Sequence, residues 1–295
     1  MPPPRRRERS GVRTLASWLL EPPVTLGLIV AGALYVHAEE RVRRARGGRR
    51  ATGWRRWYFL GGLLAIFAAL ESPIDAGAQT SFSVHMVQHL LLTMVAAPLL
   101  VLGAPVTLAL QAWPGVARRR ILSLLHSAPI RLLANPLVAW ALFFGVMWAS
   151  HMTGLYEATL RSAGIHTAEH LAYLVTALLF WLPVVAVDPA PSHLSYPARI
   201  FYLFLAMPAM AFLGLAIFST RHVLYPAYAA VEGTARALAD QRVAGALMWT
   251  GGMFLIVPAL AFVLFDWMRA DEREARRVDE RLLRSAVELG EGSGS

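Results

Sequence analysis

The sequence predicts an all-α polytopic membrane protein, a bundle of seven transmembrane helices with the N-terminus outside and the C-terminus cytoplasmic. Three observations carry that reading. The 295 residues are 56% hydrophobic and 16% charged, with a mean hydropathy of +0.47, whereas soluble domains carry roughly 25% charged residues. Several apolar runs approach the ~20 residues a helix needs to cross a ~30 Å hydrocarbon core. The basic residues, 28 in number and all arginine, sit in short clusters between those runs. A formal charge of +9 spread over a surface would suggest nucleic acid. Clustered as it is, it orients spans and meets anionic lipid, so membrane lipid is the expected partner and nucleic acid is not. Cysteine is absent, which removes disulfides, thiolate ligands and cysteine nucleophiles.

The spans are expected near Val24 to Ala38, Trp57 to Leu70, Val84 to Leu110, Asn135 to Ser150, His166 to Val187, Ile200 to Ser219 and Ala244 to Trp267. The first two are short, so flanking side chains such as Arg55 and Arg56 are expected to snorkel. The third is long enough that Pro98 and Pro105 should kink it or turn its end along the surface. Pro183, Pro208 and Pro258 are compatible with kinks inside later spans. This gives a basic N-terminal segment (1–20), a seven-span domain (21–268) and a charged cytoplasmic tail (269–295), helical and then Gly/Ser-rich.

Orientation follows from the arginines. Eight lie between spans one and two (Arg41, Arg43, Arg44, Arg46, Arg49, Arg50, Arg55, Arg56) and none between spans two and three. Placing the first loop inside puts nineteen arginines in the cytoplasm and nine outside, with the N-terminal Arg5, Arg6, Arg7, Arg9 and Arg13 opposing the rule. A signal peptide cleaved after Val36-His37-Ala38 would strand the eight-arginine loop outside, so the segment is read as a retained first span. The bacterial inner membrane is the expected location.

That topology sorts the nine histidines. His85, His89, His151, His166, His170 and His222 fall on the outer side; His37, His126 and His193 face the cytoplasm. His85/His89 and His166/His170 are i, i+4 pairs, so each pair projects from one helical face about 5–6 Å apart. Both helices enter from outside, so the pairs lie at matching depth. Intramembrane ionisable residues are functional candidates by default, and imidazole is a common ligand for copper, zinc and iron. Met86, Met147 and Met152 add thioethers nearby, which favours copper over a structural zinc site. The candidate metal residues are therefore His85, His89, His151, His166 and His170. Met207, Met210, Met248 and Met253 are read as packing residues, and Glu71, Asp75, Glu169 and Asp240 as carboxylates near the outer face.

From about residue 20 to 268 the chain resembles the CtaG-type, caa3-type cytochrome c oxidase assembly factor family. The resemblance rests on His85-Met86-Val87-Gln88-His89-Leu90-Leu91-Leu92, Pro98-Leu99-Leu100, Gly103-Ala104-Pro105 and Asn135-Pro136. It continues through His151, Tyr156, His166-Thr167-Ala168-Glu169-His170, Phe180-Trp181-Leu182-Pro183 and Ser195-Tyr196-Pro197. Met207-Pro208, Leu224-Tyr225-Pro226, Asp240-Gln241, Gly245 and Met248-Trp249 complete it. The resemblance implies a seven-span, non-enzymatic membrane protein needed to form active oxidase, with oxidase subunits as partners and copper, or else zinc, as the metal handled.

Three other classes compete. His166-Thr-Ala-Glu169-His170 spells H-x-x-E-H, the inverted zinc-protease signature with glutamate as general base, but that reading leaves His85 and His89 idle. Haem held between facing helices would need histidines on opposite sides of the macrocycle. A scaffold whose histidines merely hydrogen-bond is the plainest alternative.

Overall fold

The structure, a computed structural model, describes residues 21–47, 53–189 and 194–292. The N-terminal segment 1–20, Arg49, Arg50, His193 and the last three residues lie outside the described residues. All regular structure among the described residues is helical. Seven long elements organise it: α1 (Pro22–Ala45), α2 (Arg55–Leu70), α3 (Phe82–Ala112, interrupted), α4 (Pro136–Met152), α5 (Ala163–Val185), α6 (Tyr196–Ser219) and α7 (Thr234–Gly292). Every segment expected as a span falls on one of these.

Among the described residues, four helices are long and apolar enough to cross a membrane: α3, α5, α6, and α7 over Thr234–Arg281. α4 is apolar but only 17 residues long, and the 16 residues of α2 reach about 24 Å at 1.5 Å per residue. Large apolar side chains face outward along these rods, among them Leu64, Leu171, Phe204, Phe212 and Phe254. A surface that apolar fits lipid rather than water.

Local chemistry sets the helix ends. Asn135 accepts from Leu137 N at 3.0 Å and Val138 N at 3.4 Å, and Pro136 occupies the first turn of α4, where no amide is needed. Ser81 caps the start of α3, and Asp240 of α7 reaches the same place, accepting from Phe82 N at 2.6 Å and Ser83 N at 3.2 Å.

The long third run is one interrupted rod. It is α-helical to Leu90, widens into a π-helical turn over Leu91–Ala96, resumes as far as Leu102, and breaks at Gly103 and a left-handed Ala104 (φ 49°) before Pro105–Ala112. Pro98 cannot donate to the preceding turn, and the widened turn lies just before it. Trp181 Nε1 takes up the carbonyl of Thr93 at 2.9 Å, and Asp188 accepts from Val106 N and Thr107 N where the helix restarts.

α3 runs through the middle, with α2 on one side and α5 and α7 on the others. One buried cluster joins α3 to α7 around Phe143, Phe180, Leu203 and Met210. A second ties α1 and α2 to α3 through Tyr35, Phe59 and Leu100. Tyr35 stacks on Phe59 at 4.1 Å and donates to Gly103 O at 2.7 Å. α7 continues unbroken past Trp267, with residues 271–281 exposed, so the expected tail helix and last span are one rod.

α6 and α7 touch backbone to backbone at Gly214 and Gly245. A Cβ on either would lie 2.7 Å from the carbonyl oxygen of the other, the close approach that small residues permit between membrane helices. Gly214→Ala or Gly245→Ala must therefore push the rods apart. Thermal unfolding in detergent should show a lowered midpoint for either. Gly145→Ala meets nothing within 4 Å and should be neutral or stabilising by up to about 1 kcal/mol.

Candidate metal centre

Three helices bring the histidines together because the chain reverses between them. His85 and His89 stand in the first turns of α3, His166 and His170 in the first turns of α5, and His151 in the last turn of α4. All five are buried. The spacing of four aligns each pair on one face, and the packing of α5 beside α3 turns the faces toward each other.

The rings crowd into one volume. His85 Nε2 and His89 Nε2 are 3.0 Å apart. Ring centroids separate by 5.1 Å for His85 and His166, 6.1 Å for His85 and His170, 5.6 Å for His89 and His170, and 4.1 Å for His166 and His170. Glu169, from the turn between the α5 histidines, places Oε2 3.9 Å from the Nε2 atoms of both His85 and His89. Ligand atoms of His85, His89 and His170 lie within 4.8 Å of one another, as do those of His85, His166 and Glu169. These two overlapping triads share His85.

Hydrogen-bond accounting shows what the volume lacks. Buried polar groups are normally paired, yet His89 Nδ1, His166 Nε2, His170 Nε2 and both carboxylate oxygens of Glu169 have no hydrogen-bond partner. Thr159 is a polar neighbour of Glu169, but its hydroxyl donates to Tyr156 O at 2.6 Å. Each unpaired buried atom costs roughly 1–3 kcal/mol, and a buried carboxylate more. A cation beside His166, Glu169 and His170 would answer the unpaired atoms of those three, so the donor set fits a metal ion.

Outer partners aim the ligands. Tyr228 Oη stands 3.0 Å from Ala78 O, 3.0 Å from Tyr156 Oη and 3.3 Å from His85 Nδ1. A carbonyl can only accept, so the Tyr228 proton goes to Ala78 and its oxygen accepts from Tyr156 and from His85 Nδ1–H. In the neutral ring that leaves a lone pair on His85 Nε2, turned to His89 Nε2 and the cluster. Burial raises both tyrosines above the ordinary phenol range, and for Tyr156 the neighbouring Tyr228 adds to it, so they stay protonated. Gln79 Nε2 stands 3.4 Å from His166 Nδ1.

His151 is close but separate. Its ring centroid lies 6.1 Å from that of His89, Nδ1 is 2.8 Å from Met147 O, and Nε2 faces Met86 Sδ at 3.4 Å. It belongs to neither triad. His222, His37 and His126 are exposed and away from the cluster. Glu169 stands among the imidazoles as a member of the second triad, a place that its position one residue before His170 hints at, since on a helix it shares a side with His166, three residues earlier.

A cavity of about 490 Å³ reaches the cluster from one side, lined by His166 and His170 together with Glu21, Asp75 and Gln79. It is wide enough for a hydrated ion and carries acidic groups along its wall.

The family model described as cytochrome c oxidase caa3 assembly factor matches residues 33–270. Uncharacterized proteins of Mycobacterium leprae (strain TN) and Mycobacterium bovis are each 31% identical, over 91% and 90% of this chain. The chain spans 42% of the length of these curated relatives. No solved structure matches it.

Asp240 fixes the start of α3 and with it the height of His85. Asp240→Ala leaves the Phe82 and Ser83 amides unpaired. It is expected to cost about 0.5–2 kcal/mol, as loss of a cap does, read as a lowered unfolding midpoint in detergent, with Asp240→Asn intermediate.

Proposed function

Because the chain belongs to the cytochrome c oxidase caa3 assembly factor family, we propose that it serves oxidase maturation by holding a copper ion in the bundle and passing it on. The observation that carries this is the group of five unpaired ligand atoms on His89, His166, His170 and Glu169, beside His85 in two overlapping triads. His85, His89, His166 and His170 are the ligands and Glu169 a further donor. His151 stands beside them, outside the donor set.

In this reading the chain crosses the bacterial inner membrane seven times, with the site near the extracytoplasmic face. The arginines support that orientation. Those of the α1 end, Arg41 and Arg46, bond Ala112 O and Gln111 Oε1 at the end of α3, opposite to its histidines, and the positive-inside rule favours the cytoplasm for such a basic end. Subunits of the oxidase are the partners that receive the ion. A carrier must release what it binds. An acid-lined cavity that exposes His166 and His170 supplies that exchange route, whereas a closed structural site holds its metal.

Neither other metal chemistry gains from the structure. A hydrolase has no support in the family, and Glu169 sits where a ligand is as well placed as a base. Ring centroids within about 6 Å suit a single ion and not a macrocycle inserted between helices.

Protein purified in detergent is expected to contain copper by elemental analysis, and the variant with His85, His89, His166 and His170 all changed to Ala to have lost it. Copper retained in that variant overturns the reading. Tyr228→Phe should keep the fold and weaken copper binding about 10- to 100-fold, the usual effect of removing a partner that aims a ligand. Glu169→Gln should weaken binding and lower oxidase activity in cells together; loss of activity with copper affinity intact would favour hydrolysis.

A further inference from the structure

On the far side of His89 from the imidazole–carboxylate cluster's His166 and His170 wall lies a second small enclosure. Met86, Met147, Met210 and Met248 line it with His89 and His151, alongside Leu90, Thr93 and Tyr173. The four thioethers come from α3, α4, α6 and α7, four different helices, and each is buried. The void measures about 10 Å³, about the room of one water-sized sphere.

His151 decides what that room is suited to. Its Nδ1 lies 2.8 Å from Met147 O, 3.1 Å from Ser150 Oγ and 3.2 Å from Tyr173 Oη, and in the tautomer that donates to the carbonyl Nδ1 carries the proton. In the neutral ring Nε2 then holds a lone pair, and it faces Met86 Sδ at 3.4 Å, another lone-pair atom. In that tautomer an imidazole nitrogen and a thioether sulfur, both ligands of soft ions, face each other at the enclosure. Gly252 seats Met210 in the wall: a Cβ there would meet its Cε at 2.5 Å and its Sδ at 2.8 Å.

We propose that the Met86, Met147, Met210 and Met248 thioethers with His151 Nε2 form a second metal site, selective for a soft monovalent cation of the cuprous class. The donor chemistry separates it from the first site. Thioethers prefer soft ions, and no carboxylate lines the enclosure, so a divalent charge would be buried without compensation. The imidazole cluster has Glu169 to offset that charge. His89 borders both sites, with Nε2 toward His85 and Nδ1 unpartnered. The inference deepens the copper-carrying reading, yet the site stands on its own donors.

The test uses the full chain in detergent, loaded with cuprous ion under reducing conditions or with silver(I), and examined by X-ray absorption at the metal edge. Wild-type protein should show sulfur scatterers. The variant carrying Met86→Leu, Met210→Leu and Met248→Leu keeps side-chain volume and should lose them, along with its silver. Absence of a sulfur shell in the loaded wild type overturns the proposal, and so does undiminished silver binding in the Leu variant. If that variant fails to fold, the wild-type spectrum decides alone. The four-histidine Ala variant separates the two readings: sulfur-bound silver persisting there supports this site even if copper never occupies the imidazoles, and its loss there shows the two to be one site.

Discussion

Polar atoms that have left water and found no partner are the constraint around which this bundle is organised. Five such atoms lie on His89, His166, Glu169 and His170. At roughly 1–3 kcal/mol each they rival the 5–15 kcal/mol net stability of a whole domain. A bundle that retains them needs strong scaffolding elsewhere, and the scaffolding is visible. Asp240 crosses from α7 to seat the first amides of α3, and Gln88 Nε2 ties the same turn to Ala69 O and Asp75 Oδ1. Tyr228 locks the His85 tautomer from a short helix, Pro226–Glu232, that belongs to none of the long rods. The π-helical turn immediately after His89, stitched by Thr93 and Trp181, is the kind of local widening that recurs at functional sites.

Much of this was legible in the residues and some was not, for physical reasons. The i, i+4 repeat of His85/His89 and His166/His170 announces two faces whatever the tertiary fold, and alternation of apolar runs announces that both begin at the same membrane boundary. Sequence distance says nothing of rotation about a helix axis, so only coordinates show that the faces meet. Glu169 reads along the chain as a carboxylate at an interface, and its burial beside His85 depends on how α5 rolls against α3. His151 was grouped with the other histidines by depth. Its ring instead bonds back to Met147 O, one turn earlier on its own helix, a local contact that pulls Nε2 away from the cluster.

The methionines are the larger surprise. Met210 and Met248 sit in apolar runs where a flexible side chain is ordinary filler, and nothing in their spacing couples them to Met86. Their convergence follows from Gly214 and Gly245, which let α6 and α7 close until backbones touch, drawing both thioethers toward α3. A pair of glycines that looks like simple packing thus also sets the walls of the softer enclosure.

Charge then distinguishes the two neighbouring sites. One has a carboxylate, imidazoles and an open cavity with Glu21, Asp75 and Arg161 on its wall; the other has neutral donors and room for about one small sphere. The donor types favour a divalent ion at the first, where Glu169 would offset part of its charge, over the second, which offers no anionic group. A monovalent soft ion reverses the preference, gaining thioether bonds at little electrostatic cost. With His89 bordering both, donor type and burial make the valence of an ion the property that selects between the two proposed sites.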